Sequence, residues 1–475
     1  MNEKNILKRQ HGLFVSVCFV VGFLVGTGIF FLPGRVLFEV GGDIRLGTLA
    51  WIIGGLMIAP SVYMFSVFAG KYEKIHGFVD YSEEIVGKKY GYLAGWFFAV
   101  MYQPAGYAII AWITSGFTAT VAGLTNENEN YIAIRFAITI FFMIATFVLN
   151  YFAPKIPVKL NVATTVARVI PLILMGTIGV GITLVTDTVN IGNVVASTTL
   201  VGDGVLNVPA QAQTTNLQPT ASLFAAISAT AFAFNGWQAA LAFNSEIKDS
   251  KRKFPIALML GFGVIIGIYV LYFIGVTTAD TEAAEQMIQG GGANFAAGTH
   301  QAFEAIFGPA GRVLVGFMII SGLGILNACC LGMSRAMYSL GRRGKGPKPE
   351  KMAKLHEKTN IPRNSMILAV IISFLWLAVI FANQTNIFGT FAFSLPDFYN
   401  YSFFALLIPI FISFVKKQKD MHPVKRFLIP TIATLGAGFM FTTYWLGSPR
   451  HALVYTITFA ALAIIGWRWH AKNTQ

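Results

Sequence analysis

The chain of 475 residues is 55% hydrophobic and only 12% charged, about half the charged share of an ordinary soluble domain. Its formal net charge of +14 is compatible with nucleic acid or a membrane surface, but the basic residues lie between long apolar runs and form no continuous basic face. The composition therefore excludes an ordinary soluble protein, argues against nucleic-acid binding, and predicts a polytopic protein embedded in a lipid bilayer.

Twelve apolar runs are long enough to cross a bilayer, because a span needs about 20 residues at a rise of about 1.5 Å each. In chain order, spans 1 to 12 are 14–33, 46–70, 93–119, 131–150, 162–185, 222–243, 255–278, 312–338, 365–382, 388–415, 427–446 and 452–469. The predicted fold class is an all-α integral membrane protein with twelve transmembrane helices. Its parts are a cytoplasmic N-terminus, a ten-span transport core, two peripheral spans and a cytoplasmic tail, at 1–13, 14–426, 427–469 and 470–475.

The orientation follows from the distribution of Lys and Arg, which accumulate in cytoplasmic loops. The N-terminus and every second loop are basic, most strongly 342–363, which holds eight basic residues. The segments 187–219 and 280–309 hold none. Twelve spans with both termini in the cytoplasm satisfy this alternation, with exceptions at Arg35, Arg45 and Arg450. The predicted location is the cell membrane.

Span 1 carries Gly26-Thr27-Gly28 near its middle. Glycine costs about 1 kcal/mol inside a helix, and one use of that cost is to let the helix unwind in mid-membrane. Unwinding frees backbone N–H groups and creates a half-helix N-terminus, which favours an anion such as a substrate carboxylate. The alternative is close helix packing, because Gly22 and Gly26 also form a GxxxG pattern. This segment alone leaves both interpretations open.

Span 6 is interrupted in the same way by Asn235-Gly236. Interrupted spans in corresponding halves of a transporter indicate its binding site. Spans 1 and 6 are five apart, which predicts two inverted five-helix repeats. Carbonyls of the second break suit a substrate ammonium, so that the two breaks together form a clamp for a zwitterion.

Four motifs resemble the amino acid–polyamine–organocation permeases, especially the bacterial branch of serine/threonine and alanine/serine/cysteine exchangers. They are GTGIFFLPG in span 1, YSEEIVGKKYGYLAGW before and in span 3, FNGWQAALAFNSEIKDSKRKFP from span 6, and ISGLGILNACCLGMSRAMYSLGRRG from span 8. The resemblance runs from about Gly12 to Arg426. It implies a LeuT-like fold of inverted five-helix repeats with broken helices 1 and 6.

The resemblance also implies roles for individual residues. Thr27 and Gly28 are expected to bind the carboxylate through backbone N–H groups and the Thr27 hydroxyl. Phe232 is expected to cover the substrate. The carbonyls expected to accept from the α-amino group are those of Leu24, Phe232 and Asn235, and the remaining residues of the two breaks are Gly26, Ala233 and Gly236. The candidates for side-chain selectivity are Tyr102, Gln103, Asn235 and Asn327.

Arg168 is an intramembrane charge in span 5, where the family often carries a lysine. It lies about nine residues beyond Lys159, roughly 13 Å along a helix. One interpretation is a coupling residue that bridges helices 1, 5 and 8 in the place of a cation; the other is a side chain that snorkels to the cytoplasmic interface. An arginine does not release its proton in turnover, so the first interpretation favours sodium-independent exchange over proton coupling.

Asp397 is the second intramembrane charge, in FSLPDFYNY at the outer half of span 10. A functional carboxylate there would contact substrate, relay a proton or pair with an arginine. Alternatively, helix 10 begins near Pro396, since proline at the first turn followed by an acidic residue is a good helix start.

The leading hypothesis is sodium-independent exchange of small neutral L-amino acids by alternating access. A proton-coupled symporter, a carrier of cationic amino acids or polyamines, and a membrane amino-acid sensor are the alternatives. The sequence contains no nucleophile–base pair and no P-loop, so we expect neither an enzyme nor a cofactor or metal. The expected partners are the amino-acid substrate and the bilayer, and the sequence specifies no partner subunit.

Overall fold

The computed structural model describes most of the chain, and every regular element in the described part is a helix. The described residues are 13–26, 28–71, 77–124, 128–153, 164, 168–181, 219–241, 250–292, 295–359, 361–387, 389, 391–419 and 421–472. Thr27, Lys159 and the segment 187–218 of the predicted outer loop lie outside them.

The helices of the first half include two half-helices for span 1 and a π-helical turn within span 3. In chain order they are α1 (Leu13–Leu24), α2 (Gly28–Glu39), α3 (Ile44–Lys71), α4 (Phe78–Ile85), α5 (Lys88–Phe97), the π-turn Phe98–Tyr102, α6 (Gln103–Val121), α7 (Tyr131–Phe152) and α8 (Arg168–Gly179).

The second half continues with the interrupted span 6 and two helices between spans 7 and 8. In chain order they are α9 (Pro219–Thr230), α10 (Trp237–Ala240), α11 (Ser250–Thr278), α12 (Thr281–Gly292), α13 (Phe295–Phe307), α14 (Ala310–Arg342), α15 (Pro349–Met352), α16 (Arg363–Gln384), α17 (Leu395–Lys417), a second π-turn (Val424–Leu428), α18 (Ile429–Gly447) and α19 (Pro449–Lys472).

Nine helices in the described part of the chain are long and apolar enough to cross a membrane. They correspond to spans 2, 3, 4, 7, 8, 9, 10, 11 and 12. Span 5 is described only in part, and spans 1 and 6 are divided into shorter helices. The chain is therefore a multi-pass membrane protein, and the total of twelve spans stays a prediction.

Both interruptions predicted from the glycines are present. The chain leaves the helix after Leu24 and re-enters it at Gly28, and it turns from residue 231 to residue 236 between α9 and α10. Gly236 has φ of +114°, which costs glycine nothing and strains any residue with a Cβ. The packing alternative for span 1 does not account for this unwinding.

The long helices hold the two breaks between them. α3 packs along α11, and α6 packs along α14. Trp51 of α3 is completely buried, and its ring lies 5.7 Å from Phe234 and 5.8 Å from Tyr269. Because buried aromatic rings contribute large apolar areas, this cluster fixes α11 beside the second break.

Helices α12 and α13 lie between spans 7 and 8. α12 packs on α2, and α13 packs on α14. In α13, Phe303 is completely buried, and its ring lies 6.4 Å from that of Tyr272. We call the side on which α2 ends the outer side, following the charge-based orientation, and the opposite side the inner side.

Candidate functional site

The two breaks touch each other through their backbones. A Cβ at Gly28 would lie 2.9 Å from Ala233 Cα, 3.2 Å from Ala233 N and 3.0 Å from Phe232 Cδ1. Real Cβ atoms essentially never come this close to backbone, so only glycine allows the approach. Three residues predicted for the site, on two chain segments some 200 residues apart, are thus in direct contact.

The first break is more open at its other glycine. A Cβ at Gly26 would have no neighbour nearer than Gly28 N at 3.9 Å. The Leu24 carbonyl faces α11, where it accepts a hydrogen bond from the Tyr269 hydroxyl at 3.1 Å. Thr27, which completes this break, lies outside the described residues.

Tyr269 joins the two breaks, and sequence reasoning missed it. Its hydroxyl lies 3.1 Å from the Leu24 carbonyl oxygen and 3.3 Å from the Ala233 carbonyl oxygen. The side chain is completely buried. A tyrosine in an apolar span usually finds a partner for its hydroxyl, but the sequence alone does not tell which partner.

Side-chain amides fix the second break. The Gly236 N–H donates to Gln238 Oε1 at 2.9 Å. The Asn235 amide donates to Asn400 Oδ1 on α17, and Asn235 Oδ1 accepts from Gln238 Nε2 at 3.4 Å. The predicted residues Asn235 and Gly236 are therefore tied to span 10 through Asn400, which the sequence analysis did not select.

Aromatic side chains cover the contact between the breaks. Phe232 lies 5.7 Å from Phe31 and 5.4 Å from Tyr399, measured between ring centroids. Tyr399 in turn stacks on Tyr102 at 4.0 Å and an interplanar angle of 21°. Phe31 also meets Phe295 of α13 edge to face at 5.6 Å. Phe232 is thus part of an aromatic cover, and Tyr399 joins it to the predicted residue Tyr102.

An ion pair joins the outer ends of spans 1 and 10. Asp397 Oδ2 accepts a hydrogen bond from Arg35 Nη2 at 2.7 Å. Arg35 also donates to Ser394 Oγ at 3.2 Å, and its Nε lies 3.6 Å from Glu39 Oε1. Of the interpretations of Asp397, the arginine pair is present, and so is the helix start, because α17 begins at Leu395 with Asp397 in its first turn.

A second set of ion pairs lies on the inner side. Arg343, just past the end of α14, pairs with Asp80 of α4, and its Nε lies 3.4 Å from Glu83 Oε2. Lys417 at the end of α17 lies 3.2 Å from Glu84 Oε1. The acidic residues belong to the YSEE run of the second motif or to the helical turn that leads into it. They join the short helix α4 to spans 8 and 10.

Arg168 is buried beside span 8. Its side chain is 4% exposed, and Nη2 lies 3.4 Å from Thr164 Oγ1 and 3.0 Å from the position that a Cβ would occupy at Gly324 of α14. A guanidinium enclosed in this way does not reach the membrane interface, which argues against the snorkelling interpretation.

The remaining selectivity candidates are Gln103, which packs against α14, and Asn327, which belongs to α14. Gln103 Oε1 is 3.2 Å from the Cβ position of Gly332, so Gln103 sits between spans 3 and 8. Asn327 Oδ1 accepts from Asn150 Nδ2 of α7 at 3.0 Å, and its own amide donates to the Leu323 carbonyl at 3.0 Å. The structure brings Asn327 to span 4, where its hydrogen bonds join two helices.

Comparison with known proteins supplies the family. The sequence pattern of the amino acid permease family, described as "Amino acid permease", matches residues 12–467. The chain belongs to the amino acid permease family. Members of this family are transporters and not enzymes. The matched range includes both interrupted spans and the ion pairs on the outer and inner sides.

Two curated relatives resemble the permease along most of its length. The serine/threonine exchanger SteT of Bacillus subtilis is 24% identical over 439 residues, which cover 92% of this chain and 91% of that protein. The b(0,+)-type amino acid transporter 1 of Rattus norvegicus is 22% identical over 460 residues, which cover 97% of this chain and 87% of that protein.

A solved structure resembles the fold of the permease. It is that of Mhp1, a nucleobase-cation-symport-1 family transporter, in a closed conformation with bromovinylhydantoin bound. The TM-score is 0.53 with 14% sequence identity, and the alignment covers 98% of this chain and 96% of that chain. The permease therefore has a transporter fold, in agreement with the LeuT-like fold that the sequence motifs imply.

Proposed function

We propose that this permease exchanges small neutral L-amino acids across the cell membrane by alternating access, without sodium. The observation that carries the proposal is the contact between the two breaks, where Gly28 lies against the backbone of Ala233. Such a contact brings backbone N–H groups and carbonyls from both interrupted spans to one place within the membrane.

The two breaks expose backbone groups of opposite partial charge: positive N–H groups and negative carbonyl oxygens. α2 begins at Gly28, so its first-turn N–H groups have no partner within the helix and favour a carboxylate. Carbonyls at the end of α1 and in the second break favour an ammonium group. We assign the carboxylate to Thr27 and Gly28, and the ammonium to the carbonyls of Leu24, Phe232 and Asn235; Gly26, Ala233 and Gly236 allow the close approach.

The surroundings of the clamp favour a neutral substrate side chain. Phe232, Tyr102 and Tyr399 form the aromatic cover, and Asn235 and Gln103 add amides. Aromatic and amide groups accept a small apolar or hydroxylated side chain, whereas a charged side chain needs a buried counter-charge. The name of one relative, a serine/threonine exchanger, supports this substrate class.

The helix packing supports twelve spans with two inverted five-helix repeats. α3 (span 2) packs along α11 (span 7), and α6 (span 3) packs along α14 (span 8). Spans 2 and 3 thus each pack against the span five later in the chain. In such repeats the binding site lies at the repeat interface, and one repeat moves against the other. Ion pairs join helices at both ends of this arrangement.

The two intramembrane charges favour exchange over proton coupling. Arg168 is buried beside span 8, and in this proposal it takes the place of a coupling cation and keeps its proton throughout. Asp397 is held by Arg35 at 2.7 Å, so in this proposal it keeps the outer side closed and does not relay a proton.

Both termini are assigned to the cytoplasm.

Counterflow in proteoliposomes tests the proposal. Purified permease is reconstituted with unlabelled serine or alanine inside, and uptake of the labelled amino acid is followed. We expect uptake that requires internal substrate and is unaffected by replacing sodium with potassium or by collapsing a proton gradient. Uptake without internal substrate that depends on a proton gradient would establish the symporter alternative. Preference for lysine or a polyamine would establish the cationic alternative.

A further inference from the structure

The guanidinium of Arg363 lies on the aromatic end of span 4. Its Cζ is 4.3 Å from the ring centroid of Tyr151 and 6.0 Å from that of Phe152, and Nη2 donates to the Tyr151 carbonyl at 3.3 Å. Arg363 is the first residue of α16, and Phe152 is the last residue of α7. The side chain therefore sits where spans 4 and 9 meet on the inner side of the membrane.

This guanidinium keeps most of its hydrogen-bonding capacity. It has five N–H donors, and within the described part of the chain it donates only to Tyr151. Its Nε has no acceptor among the described residues, and none of their carboxylates forms an ion pair with it. Arg343, near the other end of the same loop, is instead paired with Asp80 and Glu83. Arg363 thus has donors available for an anionic ligand.

The loop that leads to Arg363 adds further positive charge. The segment 342–363 holds eight basic residues and two acidic ones. Asn364 Nδ2 donates to the Lys351 carbonyl at 3.0 Å, which fastens the short helix α15 to the start of span 9. Lys351 is exposed. A basic surface at the cytoplasmic end of membrane spans attracts ligands with a net negative charge.

Next to this basic surface, both spans present apolar side chains on their exposed faces. α7 and α16 pack against each other, and Phe152 is 67% exposed. The exposed apolar residues recur every four positions, which places them on one face of each helix; they are Ile144 and Val148 on α7, and Ile367, Ile371 and Leu375 on α16. A ligand that fits this corner therefore has an anionic head and an apolar tail.

We propose that Arg363 binds the phosphate of an anionic phospholipid of the inner leaflet, whose acyl chains lie along the exposed faces of spans 4 and 9. The planar fork of an arginine matches two phosphate oxygens at once. A zwitterionic lipid carries the same phosphate, but its choline ammonium is repelled by the basic loop. The site is independent of the amino-acid clamp.

Photo-crosslinking at the two ends of span 4 tests the proposal. Phe152 or Ile132 is replaced by 4-benzoylphenylalanine, and each protein is reconstituted in equal parts of phosphatidylglycerol and phosphatidylcholine with identical acyl chains. Both side chains are exposed, at the inner and the outer end of α7 respectively. The crosslinked lipid is identified by mass. We expect a ratio of phosphatidylglycerol to phosphatidylcholine about threefold higher or more at position 152 than at position 132.

Two arginine substitutions identify the group responsible. Arg363→Gln removes the guanidinium beside position 152, and Arg450→Gln removes an exposed guanidinium at the outer end of span 12. Arg363→Gln should lower the ratio at position 152 to the value found at position 132, and Arg450→Gln should leave it unchanged. An unchanged ratio in folded Arg363→Gln would overturn the proposal.

The comparison of positions 152 and 132 is made with Arg363 in place, so it holds even where Arg363→Gln does not fold. Equal ratios at the two positions contradict the site. Excess inorganic phosphate, compared with chloride at the same ionic strength, separates a lipid from a soluble anion. The ratio should be the same in both salts; its loss in phosphate alone would assign the site to free phosphate and overturn the proposal of a lipid.

Discussion

The Asp397 carboxylate and the Arg35 guanidinium join the outer ends of spans 10 and 1, with 2.7 Å between Oδ2 and Nη2. Asp397 is 8% exposed, so water screens this pair only weakly. Because Arg35 belongs to α2, the outer half of the broken span 1 cannot leave span 10 while the pair is intact. Opening of the outer side must break it.

Asp397→Asn should therefore favour the outward-open state. A hydrogen bond to a charged partner contributes about 1.5–3 kcal/mol, and its loss should raise the reactivity of a cysteine at Phe295 toward a membrane-impermeant thiol reagent about 10-fold. Glu39→Gln is the control and should change the reactivity less, because Glu39 lies on the same helix as Arg35 and its Oε1 is 3.6 Å from Arg35 Nε. Loss of proton-driven uptake with intact counterflow in Asp397→Asn would instead identify Asp397 as a proton carrier.

Gly28→Val should nearly abolish substrate binding in a protein that still folds and inserts. Even its Cβ would lie 2.9 Å from Ala233 Cα, so the two breaks cannot approach each other. Gly267→Val in α11 is the control, because a Cβ there has no neighbour within 4 Å. Thermal stabilisation by alanine is the measurement. Wild-type stabilisation of Gly28→Val would mean that the clamp lies elsewhere.

Arg168→Lys should make counterflow dependent on pH between about 6 and 8, because a buried lysine releases its proton readily and an arginine does not. Wild-type counterflow should be flat over this range and indifferent to sodium. Arg135→Lys is the control, since Arg135 is equally buried at 4% exposure but stacks on Trp112, with 3.7 Å between its Cζ and the ring centroid. A strong sodium or proton dependence of the wild type contradicts this account.

Asn327→Ala should lower stability and leave substrate affinity unchanged. The substitution removes the 3.0 Å hydrogen bond with Asn150 and leaves one N–H of that buried amide without its acceptor, while the other still donates to the Thr146 carbonyl, at a cost of about 1–3 kcal/mol. Thermal unfolding and alanine binding are measured on the same sample. A selective loss of affinity with unchanged unfolding temperature would restore Asn327 as a selectivity contact.

The orientation is tested by single cysteines at two exposed positions. Lys354→Cys, between α15 and α16, should react only from the cytoplasmic side. Glu285→Cys on α12 should react only from outside. Both side chains are exposed, so reactivity reports the side of the membrane. The reverse pattern at either position overturns the assignment of both termini to the cytoplasm.

The depth of each residue within the membrane could be predicted from the sequence, but the neighbouring helix that its side chain contacts could not. The glycines of spans 1 and 6 predicted the breaks, because glycine destabilises the interior of a helix and therefore indicates a place where the helix is interrupted. Asn327 had the polarity and depth of a selectivity residue, yet it faces Asn150, 177 positions away along the chain. Tyr269 looked like any other aromatic residue of an apolar helix until its neighbours were known.

Long-range pairing also explains an apparent exception to the charge rule. Arg35 lies on the side of the membrane where basic residues are scarce, and its partner Asp397 is 362 positions away. The sequence contained both charges, and the interpretations of Asp397 included both an arginine pair and a helix start. The sequence alone could not show that these two charges lie next to each other in the fold.

The π-turn Phe98–Tyr102 leads directly into α6 and ends at the tyrosine that stacks on Tyr399. A π-turn accommodates one residue more than an α-helical turn, and one residue rotates a helix by about 100°. Deleting a single residue here would convert the π-turn into an ordinary α-helical turn and leave α6 in its place relative to α5, whereas inserting one would rotate α6. Span 3 should therefore tolerate the loss of one residue in this segment better than the gain of one, and recombination between related permeases should show the same asymmetry.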